Sequence, residues 1–295
     1  MGLKQKMKNV PWLYNAILGV LNRTSYFNWR FHQGLRTYKL TSYWQKRIET
    51  VKASPDNNRL QHVSQAGEIF EDHQLMHNGL KITLGSYYDY GNALLLRDNR
   101  GVHEPQEEYA FDLILNKIPE GAVMLELGSY WAFYSMWFKQ RVKNARCVMI
   151  EPDPHKMNFG KLNFDLNGFE GTFDLGFISN KTETGRNIPL YSVDYLLEKH
   201  QIKHLHLLHS DIQGYELKML EGAHQLLVSQ QIDYLFISTH SNELHRQCIG
   251  RLQSYSYEIL CEADLDASFS VDGLIVAARN GLHGPIEISR RPSLS

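Results

Sequence analysis

Residues 121–154 read GAVMLELGSYWAFYSMWFKQRVKNARCVMIEPDP. Within them, 123–127 (VMLEL) and 147–150 (CVMI) are apolar runs of strand length, and 131–142 between them carries a helix. Two buried strands joined through a helix make a βαβ unit, and the crossover makes the strands parallel. The same alternation continues downstream. A helix over 154–166 opens on Pro154 and closes at Asn167-Gly168 through a left-handed cap. Strands at 172–179, 204–212 and 233–239 alternate with helices at 193–200, 215–228 and 243–255. Strands at 257–261 and 271–278 then follow each other with no helix between, so this last pair must be antiparallel. The pattern predicts an α/β protein with a doubly wound, Rossmann-like sheet ending in an antiparallel hairpin.

Working outward, residues 1–55 read as helical and aromatic-rich, up to the loop signal SPDNN at 54–58. Residues 61–100 suggest short strands and turns, with Asn78-Gly79 turning a hairpin between 74–77 and 80–84. Pro105 opens a helix to 116, and Glu107 and Glu108 suit its positive end. The expected organisation is an N-terminal segment 1–58, a domain 59–280 with its ligand-binding core from about 101, and a polar tail 281–295.

The 295 residues are 43% hydrophobic and 21% charged, ordinary for a chain with a sizeable core. The formal net charge is -1, which disfavours nucleic acid as a partner of the whole molecule. The charge is unevenly placed. Residues 1–48 hold nine Lys or Arg and no Asp or Glu, so the remainder carries about -10. Such a split hints at an anionic surface as partner. The run 10–21 (VPWLYNAILGVL) follows three lysines but is interrupted by Pro11, Tyr14 and Asn15, and no run approaches the roughly 20 apolar residues that span a bilayer. It reads as a helix lying on the protein's own body or a second subunit, the commoner outcome, or on a membrane surface. Cys147, Cys248 and Cys261 are far apart without CxxC spacing, which points away from disulfides or zinc and toward a reducing cytoplasm, with contact at the inner membrane surface the variant the basic segment adds.

In a doubly wound sheet, ligands bind beyond the carboxyl ends of the strands. The first end is ELGSYWA (126–132), with a single glycine, Gly128, where a dinucleotide fingerprint needs three. The carboxylate of Glu126 at the mouth would repel a pyrophosphate but not a sulfonium cation with an ammonium group, so the short E-x-G favours S-adenosylmethionine over NAD. The bland alternative is that Gly128 only makes a tight turn. The second strand ends in IEPDP (150–154), where Glu151 is placed to accept hydrogen bonds from ribose hydroxyls, while Asp153 equally suits a helix cap.

The fourth strand runs LLHSDIQGYE (207–216) and then LEGA (220–223), and SVDYLL stands at 192–197. These resemble the D-x-x-G-x-E…L-x-G-A and V-D-x-L-L segments of FkbM-family methyltransferases, with Glu126-Leu127-Gly128 and Ile150-Glu151-Pro152 where that family has its cofactor motifs. The resemblance covers roughly 101–279. It implies a class I methyltransferase sheet, S-adenosylmethionine as methyl donor and, commonly, a hydroxyl acceptor on a sugar, glycan or secondary metabolite. Gly128, Ser129, Tyr130, Glu151 and Asp211 then fall among the cofactor contacts. The segment GVHEPQEE (101–108) matches the one that closes over the cofactor, which places Glu104 there too. Bulky Tyr130 and Trp131 stand where the family has small residues, and Ala132 replaces a frequent glycine.

Methyl transfer to oxygen needs donor and acceptor aligned and a proton removed. His240, in STHSNE (238–243) at the end of the fifth strand, is the expected general base. Asp211 orients it, contacts the acceptor, or holds a divalent ion with it. The structural alternatives are a turn bond for Asp211 and helix capping for His240, although Ser241 or Asn242 caps better. His103, His209 and His245 are weaker candidates, and Glu216 suits a helix first turn. Two further readings stay open. One is a non-catalytic binding subunit of the same fold, and the other is a homo-oligomer. A nucleic-acid methyltransferase would want a D/N-P-P-Y/F motif, which the fourth strand lacks.

Overall fold

The computed structural model describes residues 25–292. The reading of 10–21 as a surface-lying helix falls outside them. The first described elements are α1 (Ser25–Thr37) and α2 (Ser42–Lys52), the latter capped by Thr41, followed by a short 3-10 turn at Pro55–Asn58. Strands β1 (His73–Leu75) and β2 (Lys81–Thr83) form the expected hairpin, with Gly79 at φ +86° in its turn. Helices α3 (Tyr90–Asp98) and α4 (Pro105–Leu115) precede the main sheet. α3 replaces part of the strands and turns expected over 61–100.

From there the chain alternates: β3 (Val123–Leu127), α5 (Phe133–Arg141), β4 (Arg146–Glu151), α6 (Pro154–Leu166), β5 (Thr172–Leu175). The expected third strand breaks at Gly176, and β6 (Phe177–Ile178) leaves the main sheet to pair in parallel with β7 (Leu190–Tyr191). Then come α7 (Val193–Lys199), β8 (Leu205–Ser210), α8 (Glu216–Gly222), α9 (His224–Val228), β9 (Ile232–Thr239), α10 (Asn242–Ser254), β10 (Tyr257–Ala263) and β11 (Gly273–Arg279). The single helix expected over 215–228 is thus two. Gly222 is pressed so close to Ser179 that a side chain there would meet its carbonyl.

The seven-stranded sheet has the order β10-β11-β9-β8-β3-β4-β5. β3, β4, β5, β8 and β9 are parallel, and β11 is antiparallel to both β9 and β10. This is the expected doubly wound, Rossmann-like sheet with its closing antiparallel hairpin. The period-2 alternation of a strand separates the two cores. Met124 of β3 faces one with Trp44, Leu95, Phe111 and Trp137, while Leu125 and Leu127 face the other with Leu196, Met219 and Leu252. α2 therefore shares the core of the sheet.

Residues 286–291 pack back on the fold. Ile286 is buried and its N–H donates to the Leu260 carbonyl, Ser289 N donates to Asp56, and Arg291 N donates to the Ala267 carbonyl. Gln106 in the first turn of α4 donates to the Ser289 carbonyl. The three cysteines are buried and free.

Candidate active site

Strand order reverses between β3 and β8, and a cavity of about 510 Å³ opens over their carboxyl ends. Glu126, Gly128, Ser129, Tyr130, Glu151, Asp211 and Glu104 all line it. The sequence-named cofactor residues therefore converge on one space.

The turn after β3 is built by backbone constraint. Gly128 lies at φ +75°, and the N–H groups of Gly128 and Ser129 donate to the Ile150 carbonyl at 2.9 and 3.1 Å. A Cβ on Gly128 would run into the Asp211 carbonyl, so only glycine lets β3 and the loop after β8 approach this closely. Tyr130 (φ +39°) donates its N–H to Glu151 Oε2 at 3.1 Å, and Asp153 donates its own to Oε1 at 2.9 Å. Burial raises the Glu151 carboxyl above its usual range. Asp153 itself caps α6 through His155 and Lys156, the structural role open to it in the sequence.

Tyr130 and Trp131 do not fill the cavity. The Trp131 ring stacks on Tyr87 at 4.0 Å and 10°, and the Tyr130 hydroxyl accepts from the Tyr88 N–H at 3.0 Å, so both belong to a wall shared with residues 87 and 88. Ala132 sits at φ +58°, the left-handed conformation that a glycine would adopt freely.

Glu126 is buried under the turn and is not a carboxylate at the mouth. Its Oε2 accepts from the Ser135 N–H at 3.0 Å, and burial pushes its pKa up to about 6. It still borders the cavity floor beside His209. The Ser129 hydroxyl and His209 Nδ1, both buried at the cavity, have no hydrogen-bond partner. Orphaned polar atoms of this kind are costly unless a ligand or water satisfies them.

α4 brings three carboxylates to the site. Glu104 meets His103 Nε2 at 3.1 Å and accepts from the hydroxyls of Tyr134 and Ser270. Burial opposes its charge, but the His103 imidazolium prevails and holds it at about 2. Glu108, fully buried, lies between His103 Nδ1 (2.6 Å) and His77 Nε2 (2.9 Å). His103, against the pull of burial, is raised to about 10 by Glu104 and Glu108. Glu107 accepts from His209 Nε2 at 2.7 Å and from Ser238 Oγ at 3.3 Å. Glu107 and Glu108 are thus buried partners of histidines as well as first-turn acids.

The expected base, His240, stands among carboxylates. Nδ1 donates to Glu216 Oε1 at 2.9 Å, and Nε2 lies 3.2 Å from Asp211 and 3.4 Å from Asp272. Burial would lower its pKa, but Asp211, Glu216 and Asp272 raise it to about 10. The Gln213 amide nitrogen also lies 2.8 Å from Nε2, a contact that takes the lone pair of a ring carrying its proton on Nδ1, so the geometry accommodates the neutral ring as well as the cation. Glu216, expected to serve only the helix, is fully buried here and also accepts from the Gly214 N–H. The D-x-x-G-x-E spacing thus puts Asp211 and Glu216 on one histidine.

Asp272, in the loop before β11, had no sequence signal. Its carboxyl is pushed up to about 7, by burial first and then by Asp211 and Glu104. His209, a weaker candidate from the sequence, stands near the end of β8 and lines the cavity. His245 links Thr239 to Glu262 away from the cavity, and Ser241 caps α10. Among the described residues, one group brings three metal-ligating side chains together, His204, His206 and Asp233, at the opposite end of the sheet. There Val123 N–H points at His206 Nδ1, which leaves the proton on Nε2, and Arg279 pairs with Asp233.

The chain is similar to solved structures at low identity. A ribosomal protein L11 methylase from Lactobacillus delbrueckii subsp. bulgaricus is 11% identical over 60% of this chain and 80% of that one, with a TM-score of 0.42. A precorrin-6y C5,15-methyltransferase from Geobacter metallireducens is 12% identical over 58% and 87%, with a TM-score of 0.40. No curated protein sequence matches. Residues 96–259, more than half of the chain, match the methyltransferase FkbM domain, and the protein belongs to that methyltransferase family.

Proposed function

We propose that the protein transfers a methyl group from S-adenosylmethionine to a hydroxyl oxygen of a sugar, glycan or secondary metabolite. The observation that carries this reading is the cavity at the strand-order reversal, with the Gly128–Ser129 turn, the orphaned Ser129 hydroxyl and Glu151 on its rim. Its size suits a ligand of this class. Glu104, Glu126, Glu151 and Asp211 line it with Lys156, Arg186 and the His103 imidazolium that pairs with Glu104, so no excess of cations is present to hold a pyrophosphate. When bound, the cofactor supplies an electrophilic methyl group.

This chain's residues would then do three things. Glu151 keeps lone pairs beyond its two backbone bonds and accepts from ribose hydroxyls. The turn at Gly128 and Ser129 seats the cofactor beside β8. The Asp211–His240–Asp272 cluster orients the acceptor and takes its proton. Asp272 lies just outside the cavity lining, 3.4 Å from His240 Nε2, and its proton affinity near neutral pH suits it as the base for an acceptor that reaches past Asp211.

Calorimetric titration with S-adenosylmethionine, S-adenosylhomocysteine and NAD tests the reading. Micromolar binding of the first two but not NAD is expected. Folded protein that binds neither would overturn it and favour a non-catalytic subunit. Glu151→Ala should weaken cofactor binding by more than about tenfold, roughly the loss of one or two charge-assisted hydrogen bonds. Unchanged affinity would remove Glu151 from the site.

Asp272→Asn should lower turnover by about 10²–10⁴, the usual worth of a general base, while sparing cofactor affinity. The acidic limb of the wild-type kcat/KM profile, expected near pH 7, should disappear with it. A variant that keeps that limb would pass the role to Asp211.

A further inference from the structure

Helix α1 is satisfied on one face only. Phe31 and Leu35 pack with Leu84, Ala93 and Tyr90. On the outward face Tyr26 and Trp29 are 58% and 56% exposed and stack on each other at 6.1 Å and 25°. Helical spacing puts Arg30 and Arg36 on the same side. Beyond α1 the exposed surface continues with Lys39, Leu40, Tyr43 and Lys46. From Ser25 to Ile48 the sequence contains no Asp or Glu.

A solvated helix face ordinarily mixes both signs of charge and exposes few large rings. Here aromatic rings alternate with cations alone. Rings of this kind settle at headgroup level, and arginine and lysine meet lipid phosphates. A single-stranded nucleic acid also pairs rings with cations, but it needs rings open to its bases within a groove. Tyr26 and Trp29 instead cover each other on a convex helix.

The inner side of α1 packs on the segment that leads to the cavity wall. A Cβ on Gly85 would touch Phe31 and Phe27 of α1, and the chain runs directly from Gly85 to Tyr87 and Tyr88, which line the cavity. We propose that the exposed face of α1 and the start of α2 docks on an anionic phospholipid bilayer, which holds the segment carrying Tyr87 and Tyr88 one helix away from the membrane surface. The inference rests on surface chemistry and stands apart from the identity of the cofactor.

The test is flotation of the full chain with phosphatidylcholine vesicles, with and without phosphatidylglycerol, at low and high salt. Binding is expected only with the anionic lipid and should weaken with salt. Arg30→Ala and Arg36→Ala should each lower partitioning about fivefold, the worth of one basic residue at a charged surface. Tyr26→Ala with Trp29→Ala should lower it at least about tenfold, without changing the thermal melt, because both side chains are exposed. No binding, equal binding to neutral vesicles, or indifference to these variants would overturn the proposal. So would a dimer by light scattering that Trp29→Glu dissociates, or cross-links showing residues 1–24 seated on Trp29. Preference for an RNA oligonucleotide over vesicles would overturn it as well.

Discussion

His240→Ala is expected to destabilise the fold by about 3–5 kcal/mol near neutral pH, the usual cost of leaving a buried charge without its partner. The variant would leave Asp211, Glu216 and Asp272 facing one another, with Glu216 fully buried. The pH dependence separates this from simple loss of packing. The folded-state pKa of His240 is raised to about 10 from an ordinary 6.5. Its contribution is therefore complete below pH 6.5 and lost as the pH rises through 10. Wild type should lose stability across that window, and His240→Ala should lose less. The slope will not vanish, because His103 titrates over the same range. Urea unfolding at intervals from pH 5 to pH 10 reads all of this; wild-type and variant curves that stay parallel would show that the ring is neutral in the native protein.

Gly128→Ala should cost the cofactor site more than any other single methyl group. The added carbon would overlap the Asp211 carbonyl, and that backbone cannot withdraw, because Asp211 N–H donates to the Leu127 carbonyl at 3.0 Å. β3 and the loop after β8 must separate, and the Ser129 side of the cavity moves with them. A shift on the order of 1 Å at a binding turn is worth about a hundredfold, so affinity for S-adenosylmethionine should fall by at least that much. Gly168→Ala is the control. It has a similar φ of +69° but nothing within 4 Å of the new carbon, so it should cost about 1 kcal/mol of stability and leave binding intact. Equal effects of the two substitutions on binding would mean that backbone strain, and not the approach to Asp211, sets the requirement for glycine.

The central strands β3, β4 and β9 were legible because they are buried on both faces and read as largely apolar runs, whereas β5 at the sheet's edge is only half-buried. α3 was hidden because Gly91 and Asn92 open it, two poor helix formers. Gly91 stands there because Trp44 of α2 lies where a side chain would be, a contact between distant parts of the chain. The two-residue strands β6 and β7 are too short to carry a period. In the site, residues at strand ends could be placed, since position in the fold assigns them. The charge states could not. Glu107 and Glu108 read as first-turn acids until His209 and His77 close on them, and His240 reads as a base until Asp272 arrives from a loop with no pattern of its own.

The segment that follows β11 has a bearing on how the site comes apart. Residues 286–291 are hydrogen-bonded at once to the 3-10 turn at Asp56, to the first turn of α4 at Gln106, to β10 at Leu260 and to the β10–β11 loop at Ala267. Glu104 and Asp272 hang on two of those anchors, whereas Gly128 and Glu151 hang on none. Peeling the segment away would therefore loosen the acceptor side as one cooperative unit and leave the cofactor side protected. In hydrogen exchange, the two halves of one cavity should open with separate free energies.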